Sequence, residues 1–69
     1  METICIQVNG KEHITAEGVT VDKLLRELGH QGQPVAVAVN HQCILRKDYP
    51  AKVLGPQDLV EILAPMAGG

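Results

Sequence analysis

The stretch TICIQVNGKEHIT, running from Thr3 to Thr15, decides the fold class. Ile4, Ile6 and Val8 alternate with Thr3, Cys5 and Gln7, the period of a strand with one buried face. Asn9-Gly10 follows, the dipeptide that best tolerates two successive positive φ angles in a type I′ turn. Lys11 to Thr15 then reads as the returning strand, so the chain opens with a β-hairpin.

Beyond the hairpin the period changes. Val21, Leu24, Leu25 and Leu28 fall at i, i+3, i+4 and i+7, the apolar stripe of a short helix. Thr20 precedes it as an N-cap whose hydroxyl accepts a backbone N–H of the first turn. Lys23 stands where a capping box would place Glu, so that motif is incomplete. Gly29 supplies the left-handed residue that ends the helix.

The remainder is strand again. Val35 to Val39 has a bulky face and a small face, Asn40-His41 begins a turn, and Gln42 to Leu45 gives a short fourth strand. Arg46 to Pro56 is loop-like, and Leu59 to Ala64 is the last strand. The order β-β-α-β-β-β predicts an α+β domain over residues 1–64, one sheet with the helix packed across one face. Residues 65–69, Pro65-Met66-Ala67-Gly68-Gly69, are expected to form a flexible tail.

Composition narrows the function. A chain of 69 residues is one domain, and with Tyr49 as its only aromatic residue the core must be aliphatic. A net charge of −2 with scattered charges offers no basic stripe for nucleic acid, and one aromatic ring is no platform for stacked bases. No apolar run approaches the roughly 20 residues that span a bilayer, and the start has no basic or apolar leader pattern. A cytoplasmic protein, monomeric alone, is expected. Cys5 and Cys43 are far apart in sequence and read most simply as free, buried thiols. No pair among them and His13, His30 and His41 has the spacing of metal ligands. No Ser/His/Asp or paired-carboxylate constellation is visible, so no catalytic residue, metal site or bound cofactor is expected.

A β-hairpin, one helix, more strands and a closing Gly-Gly resemble the ubiquitin-like β-grasp proteins. Within them the chain is similar to the ThiS family, the sulfur carriers of thiamine biosynthesis. Three stretches carry the resemblance: Val19-Thr20-Val21 through Leu24-Leu25; Val37-Ala38-Val39-Asn40 into Ile44-Leu45-Arg46 and Tyr49; and Pro65-Met66-Ala67-Gly68-Gly69. The last strand is then expected beside the first in a mixed sheet, a placement implied by the fold and not by periodicity.

The resemblance also implies a chemistry. An activating enzyme of the ubiquitin-activating (E1-like) kind would use ATP and magnesium to adenylate the Gly69 carboxylate. Sulfur from a donor such as a cysteine desulfurase would replace AMP, and the Gly69 thiocarboxylate would be delivered to a thiazole synthase. The chain is then a protein substrate and carrier, not a catalyst. The tail, with Met66 in it, suits a narrow channel: Gly68 and Gly69 have no Cβ, Ala67 is small, and Pro65 ends sheet pairing. Two glycines at an end are also what a merely frayed terminus contains, but a frayed terminus has no reason to follow a β-grasp pattern.

Alternation in the last strand places Val60 and Ile62 on one face and Leu59, Glu61 and Leu63 on the other. With the first set under the helix, Leu63 and Glu61 join Ala36 and Ala38 on an open face, which the resemblance implies is where partners dock. Singly exposed leucines also occur without function. Arg46, Asp48 and Tyr49 read as a solvated loop whose tyrosine plugs the core edge, ahead of a docking patch. Alternatives within the same chemistry are a molybdopterin carrier or a carrier for another sulfur metabolite. A ubiquitin-like modifier or a plain interaction module is the alternative of another class.

Overall fold

The structure is a computed structural model that describes residues 2–30 and 32–64. Residues 66–69, named above as the tail of the site, lie outside the described residues, as does Pro65.

The opening hairpin forms as its alternation predicts. β1 (Thr3–Val8) pairs antiparallel with β2 (Lys11–Ala16), with Cys5 opposite Ile14 and Val8 opposite Lys11. Asn9 and Gly10 take φ of 50° and 84°, the two positive angles of a type I′ turn that match the right-handed twist of the strands.

α1 (Val21–Glu27) buries Val21, Leu24 and Leu25. The Thr20 hydroxyl accepts the Lys23 N–H at 3.2 Å, satisfying one of the first-turn donors. At the other end Gly29, at φ 83°, donates to the Arg26 carbonyl, and the His30 N–H donates to the Leu25 carbonyl at 2.8 Å. This is the paired bonding of a Schellman stop, which needs a residue without Cβ strain at that position.

β3 (Ala36–Val39) and β4 (Gln42–Ile44) form a second two-residue hairpin, with Asn40 and His41 at φ 51° and 68°. The stretch after it contains a 3₁₀ turn at Arg46–Asp48. It then returns under the start of the helix: Val21 N–H donates to Lys52 O and Leu54 N–H to Val19 O, both at 2.9 Å. Leu54 and Tyr49 are thereby drawn into the core.

β5 (Leu59–Leu63) runs through the centre of the sheet, whose order is β2-β1-β5-β3-β4. It is parallel to β1, with Gln7 opposite Leu59, and antiparallel to β3, with Ala36 opposite Leu63. The sheet is mixed, as the resemblance implied, and the architecture is the α+β ubiquitin-like β-grasp. Gly55 to Asp58 sets the register of β5: Gly55 N–H donates to Asp58 Oδ2 at 2.8 Å, Gln57 N–H to Cys5 O at 2.7 Å, and Gln7 N–H to Asp58 O at 3.0 Å.

The core joins α1 to the inner face of the sheet through Ile4, Ile6, Val37, Val39, Val60 and Ile62 against Val21, Leu24 and Leu25. Apart from Tyr49 it is aliphatic, and among the described residues no buried side-chain polar atom lacks a partner. No helix among the described residues is long and apolar enough to cross a membrane.

Candidate functional site

One face of the sheet carries the helix; among the described residues nothing packs over the other, where Leu63 and Ile14 stay exposed. Residues directly opposite across a ladder share a face, so strand register fixes which side chains meet there. Val60 and Ile62 are buried beneath α1, and Glu61 and Leu63 point to the opposite side. Leu63 is 73% exposed. Its partner across the ladder is Ala36, and Glu61 lies opposite Ala38, so the open face has the composition expected of it.

A further side chain joins them. Leu45 follows β4 and is 61% exposed. Cys43 faces Ala38 across the β3–β4 ladder, and Leu45 lies two residues on, carrying the same facing one row further. Leu63 and Ala36 thus face each other across the β5–β3 ladder where β5 finishes, and Leu45, extended and one residue past β4, prolongs this apolar row toward the sheet edge. Leu45 was not named as a site residue from the sequence, although its spacing from Cys43 is the strand period that would have placed it. Two small residues, Ala36 and Ala38, keep the middle of this face shallow, so a partner surface can approach the β3 backbone closely.

The polar border of this row is Glu61, whose carboxylate is 3.6 Å from His41 Nδ1. His41 sits in the β3–β4 turn and is exposed. Ile14, 62% exposed, is on the same face but at the opposite end, beside Cys5 on β1.

The two thiols are not both buried. Cys43 is exposed and Cys5 half-buried, because both project onto the open face and not under the helix. The expectation of buried cysteines is corrected on this point: Cys43 is on a three-residue edge strand and faces Ala38. β1 and β4 are separated by β5 and β3, about 14 Å at the usual strand spacing, twice what a disulfide bridges. Burial, then hydrogen bonding to Glu12 and its charge, push the Cys5 thiol up from its ordinary range against a lowering backbone bond from His13. Its Sγ is 3.5 Å from Glu12 Oε2. Such a thiol is held protonated and is a poor nucleophile.

Arg46, Asp48 and Tyr49 do not act as one patch. Tyr49 is buried, with its hydroxyl donating to the Val35 carbonyl, while Arg46 and Asp48 are exposed. Arg46 borders a shallow cleft with Arg26, whose guanidinium already pairs with Asp22 at 3.3 Å. Among the described residues no three His, Cys, Asp or Glu side chains converge as metal ligands would.

Comparison with known proteins agrees with the topology. The model of the ThiS family matches residues 4–69. The sulfur carrier protein ThiS of Thermus thermophilus is 38% identical over 53 residues, covering 77% of this chain and 83% of that protein. A thiazole synthase of Magnetococcus marinus is 36% identical over 64 residues, which is 93% of this chain but 20% of that protein. The chain therefore spans a small part of the length of the thiazole synthase and most of the length of the carrier. A crystal structure of the thiamine biosynthesis protein ThiS from Geobacter metallireducens superposes with a TM-score of 0.81 at 33% identity, covering 96% of this chain and 100% of that one. An NMR structure of a thiamine biosynthesis protein from the same organism gives a TM-score of 0.80.

Proposed function

The chain belongs to the ThiS family, and from that premise we propose that it carries sulfur for thiamine biosynthesis on the carboxyl group of Gly69. The observation that carries this reading is the match over residues 4–69, which extends through the Gly68-Gly69 pair and not only through the β-grasp body.

A free carboxylate is a poor acyl donor, because its charge repels nucleophiles and oxide is a poor leaving group. Adenylation by an activating partner that uses ATP and magnesium removes both obstacles and releases pyrophosphate. The outer sulfur of a persulfide, supplied by a donor such as a cysteine desulfurase, then attacks the Gly69 acyl carbon. AMP leaves with the bonding pair. A thiol cleaves the S–S bond of the resulting acyl disulfide and ends as a disulfide itself, leaving the Gly69 thiocarboxylate. The sulfur is then a soft nucleophile bound to one protein and not free sulfide.

In this scheme residues 1–64 are the recognised body and residues 65–69 the delivered tail. The row of Leu63, Ala36 and Leu45, with Glu61 at its border, is the surface that docks both the activating enzyme and a thiazole synthase. The proteins named thiazole synthase that contain a segment similar to this chain support that second partner. They also favour the thiamine pathway over a molybdopterin or other sulfur carrier. A modifier of the ubiquitin type would instead transfer Gly69 to a lysine.

Intact-mass analysis after incubation with the cognate activating enzyme, ATP, magnesium and a persulfide donor tests the proposal. The expected product has one oxygen of Gly69 replaced by sulfur. An unchanged mass, or an isopeptide adduct on a lysine, would refute it.

A further inference from the structure

β5 is held from both sides by asparagine side chains. Asn40, in the β3–β4 turn, donates its N–H to the Leu59 carbonyl at 2.7 Å and accepts the Leu59 N–H on Oδ1 at 2.9 Å. Its Nδ2 donates to Asp58 Oδ1 at 3.0 Å. This clamp grips the beginning of the strand from the β3 side.

Asn9, in the β1–β2 turn, grips the other end from the β1 side. β1 itself pairs with β5 only as far as Val8 opposite Val60. Asn9 N–H donates to the Val60 carbonyl at 2.9 Å, extending the pairing by one bond. The Asn9 side chain then substitutes for a strand: Oδ1 accepts the Ile62 N–H at 2.8 Å, and Nδ2 donates to the Ile62 carbonyl at 3.2 Å. Ladder alternation turns the peptide groups of Ile62 toward β1 while those of Glu61 and Leu63 face β3. Without the amide, both groups of a residue that is 5% exposed would lose their partner on that side.

The site demands asparagine by chemistry. Its amide offers one acceptor and one donor at a peptide-like spacing, and Asn is among the few residues that take φ of 50° at small cost. Aspartate keeps the acceptor but sets an oxygen against the Ile62 carbonyl. Glycine keeps the turn and removes the clamp.

The gripped peptide immediately precedes Leu63, the exposed residue of the docking row and the last residue of β5. We propose that Asn9 is a positioning residue for the chemistry at Gly69: by locking the Ile62 peptide it sets the direction in which the chain leaves the sheet and so delivers the terminal carboxyl to the activating enzyme. This inference rests on the carrier reading. Asn40, at the far end of the strand, anchors β5 without setting that direction.

Asn9→Gly, Asn40→Gly and Asn9→Asp are compared in pyrophosphate exchange with the cognate activating enzyme. Carrier concentration is varied at a temperature where circular dichroism shows the variants folded. Asn9→Gly is expected to lower kcat about tenfold with KM within about twofold, because a small misplacement of a reacting carbon acts on the chemical step and not on docking. Asn40→Gly keeps kcat within about twofold even where its melting temperature falls as far, a split that loss of stability alone would not produce. Asn9→Asp loses kcat in the same sense and carries the test should Asn9→Gly not fold. Wild-type kcat in the Asn9 variants, or equal losses in Asn9→Gly and Asn40→Gly, overturns the inference. Absence of exchange with the unmodified chain overturns the carrier reading, and this inference with it.

Discussion

The hydroxyl of Tyr49 donates to the carbonyl of Val35 at 2.9 Å, inside the buried edge of the core. Val35 is the residue before β3, and among the described residues its carbonyl accepts no backbone hydrogen bond. The only aromatic side chain of the protein thus closes the gap between the 3₁₀ turn and the sheet. Tyr49→Phe keeps the ring and strands that carbonyl away from water, at a cost of about 1–3 kcal/mol. For a domain of this size each kcal/mol lowers the melting temperature by about 4–8 °C. A thermal melt checks it; an unchanged midpoint would mean that water replaces the phenol at Val35.

Leu63→Glu separates docking from folding. Leu63 is exposed on the face away from the core, so the substitution is expected to change stability by less than about 0.5 kcal/mol. In a desolvated interface beside Ala36 and Leu45, an unpaired carboxylate costs at least about 1.4 kcal/mol, a tenfold or greater loss of affinity. Calorimetric titration with the activating enzyme and with thiazole synthase measures the loss, and a denaturant melt measures the fold. Wild-type affinity for both partners would remove the open face from the docking scheme.

The local elements were legible in the sequence because their causes are local. Asn9-Gly10 imposes a two-residue turn, Thr20 and Gly29 bound the helix, and the alternation from Leu59 to Leu63 sorts core from open face. The pairing of β5 with β1 was not legible from periodicity and came only with the resemblance. The clamp of Asn9 on Ile62 joins residues 53 positions apart, and in sequence Asn9 carries only its turn preference. Cys43 was misplaced because three residues at a sheet edge make too short a pattern to say which face each occupies. Of the candidate site, Leu63 and Glu61 stand where alternation put them, Leu45 was missed, and Met66 to Gly69 lie outside the described residues.

The two cysteines are expected to differ in reactivity and to be dispensable for carriage. Since the thiolate is the attacking species, a raised Cys5 pKa leaves less of it at any pH below that value. Cys43, exposed, is expected to be alkylated first at pH 8, and Cys5 to catch up as the pH rises. Glu12→Gln removes the neighbouring charge and should speed Cys5. Peptide mapping after brief iodoacetamide treatment decides between them, and labelling of Cys5 first would contradict the geometry. A variant with both cysteines changed to serine should still acquire sulfur on Gly69. A folded double variant that cannot be loaded would move the chemistry to a thiol.

Removing Gly69, or adding one residue after it, is expected to abolish activation while leaving the fold intact. The atom to be activated must be a free terminal carboxyl carbon in line with the α-phosphate of ATP. One residue of extended chain spans at most about 3.3–3.6 Å, so either change moves that carbon by roughly this distance. A misplacement of about 1 Å can already cost on the order of 10²-fold in a positioned reaction. Among the described residues, every buried apolar side chain of the core lies from Ile4 to Ile62. The melting temperature should therefore hold while pyrophosphate exchange with the cognate activating enzyme falls by about 10²-fold or more. Undiminished exchange from a chain lacking Gly69 would mean that the Gly68 carboxyl serves equally well, and would overturn the placement of the activated carbon at Gly69.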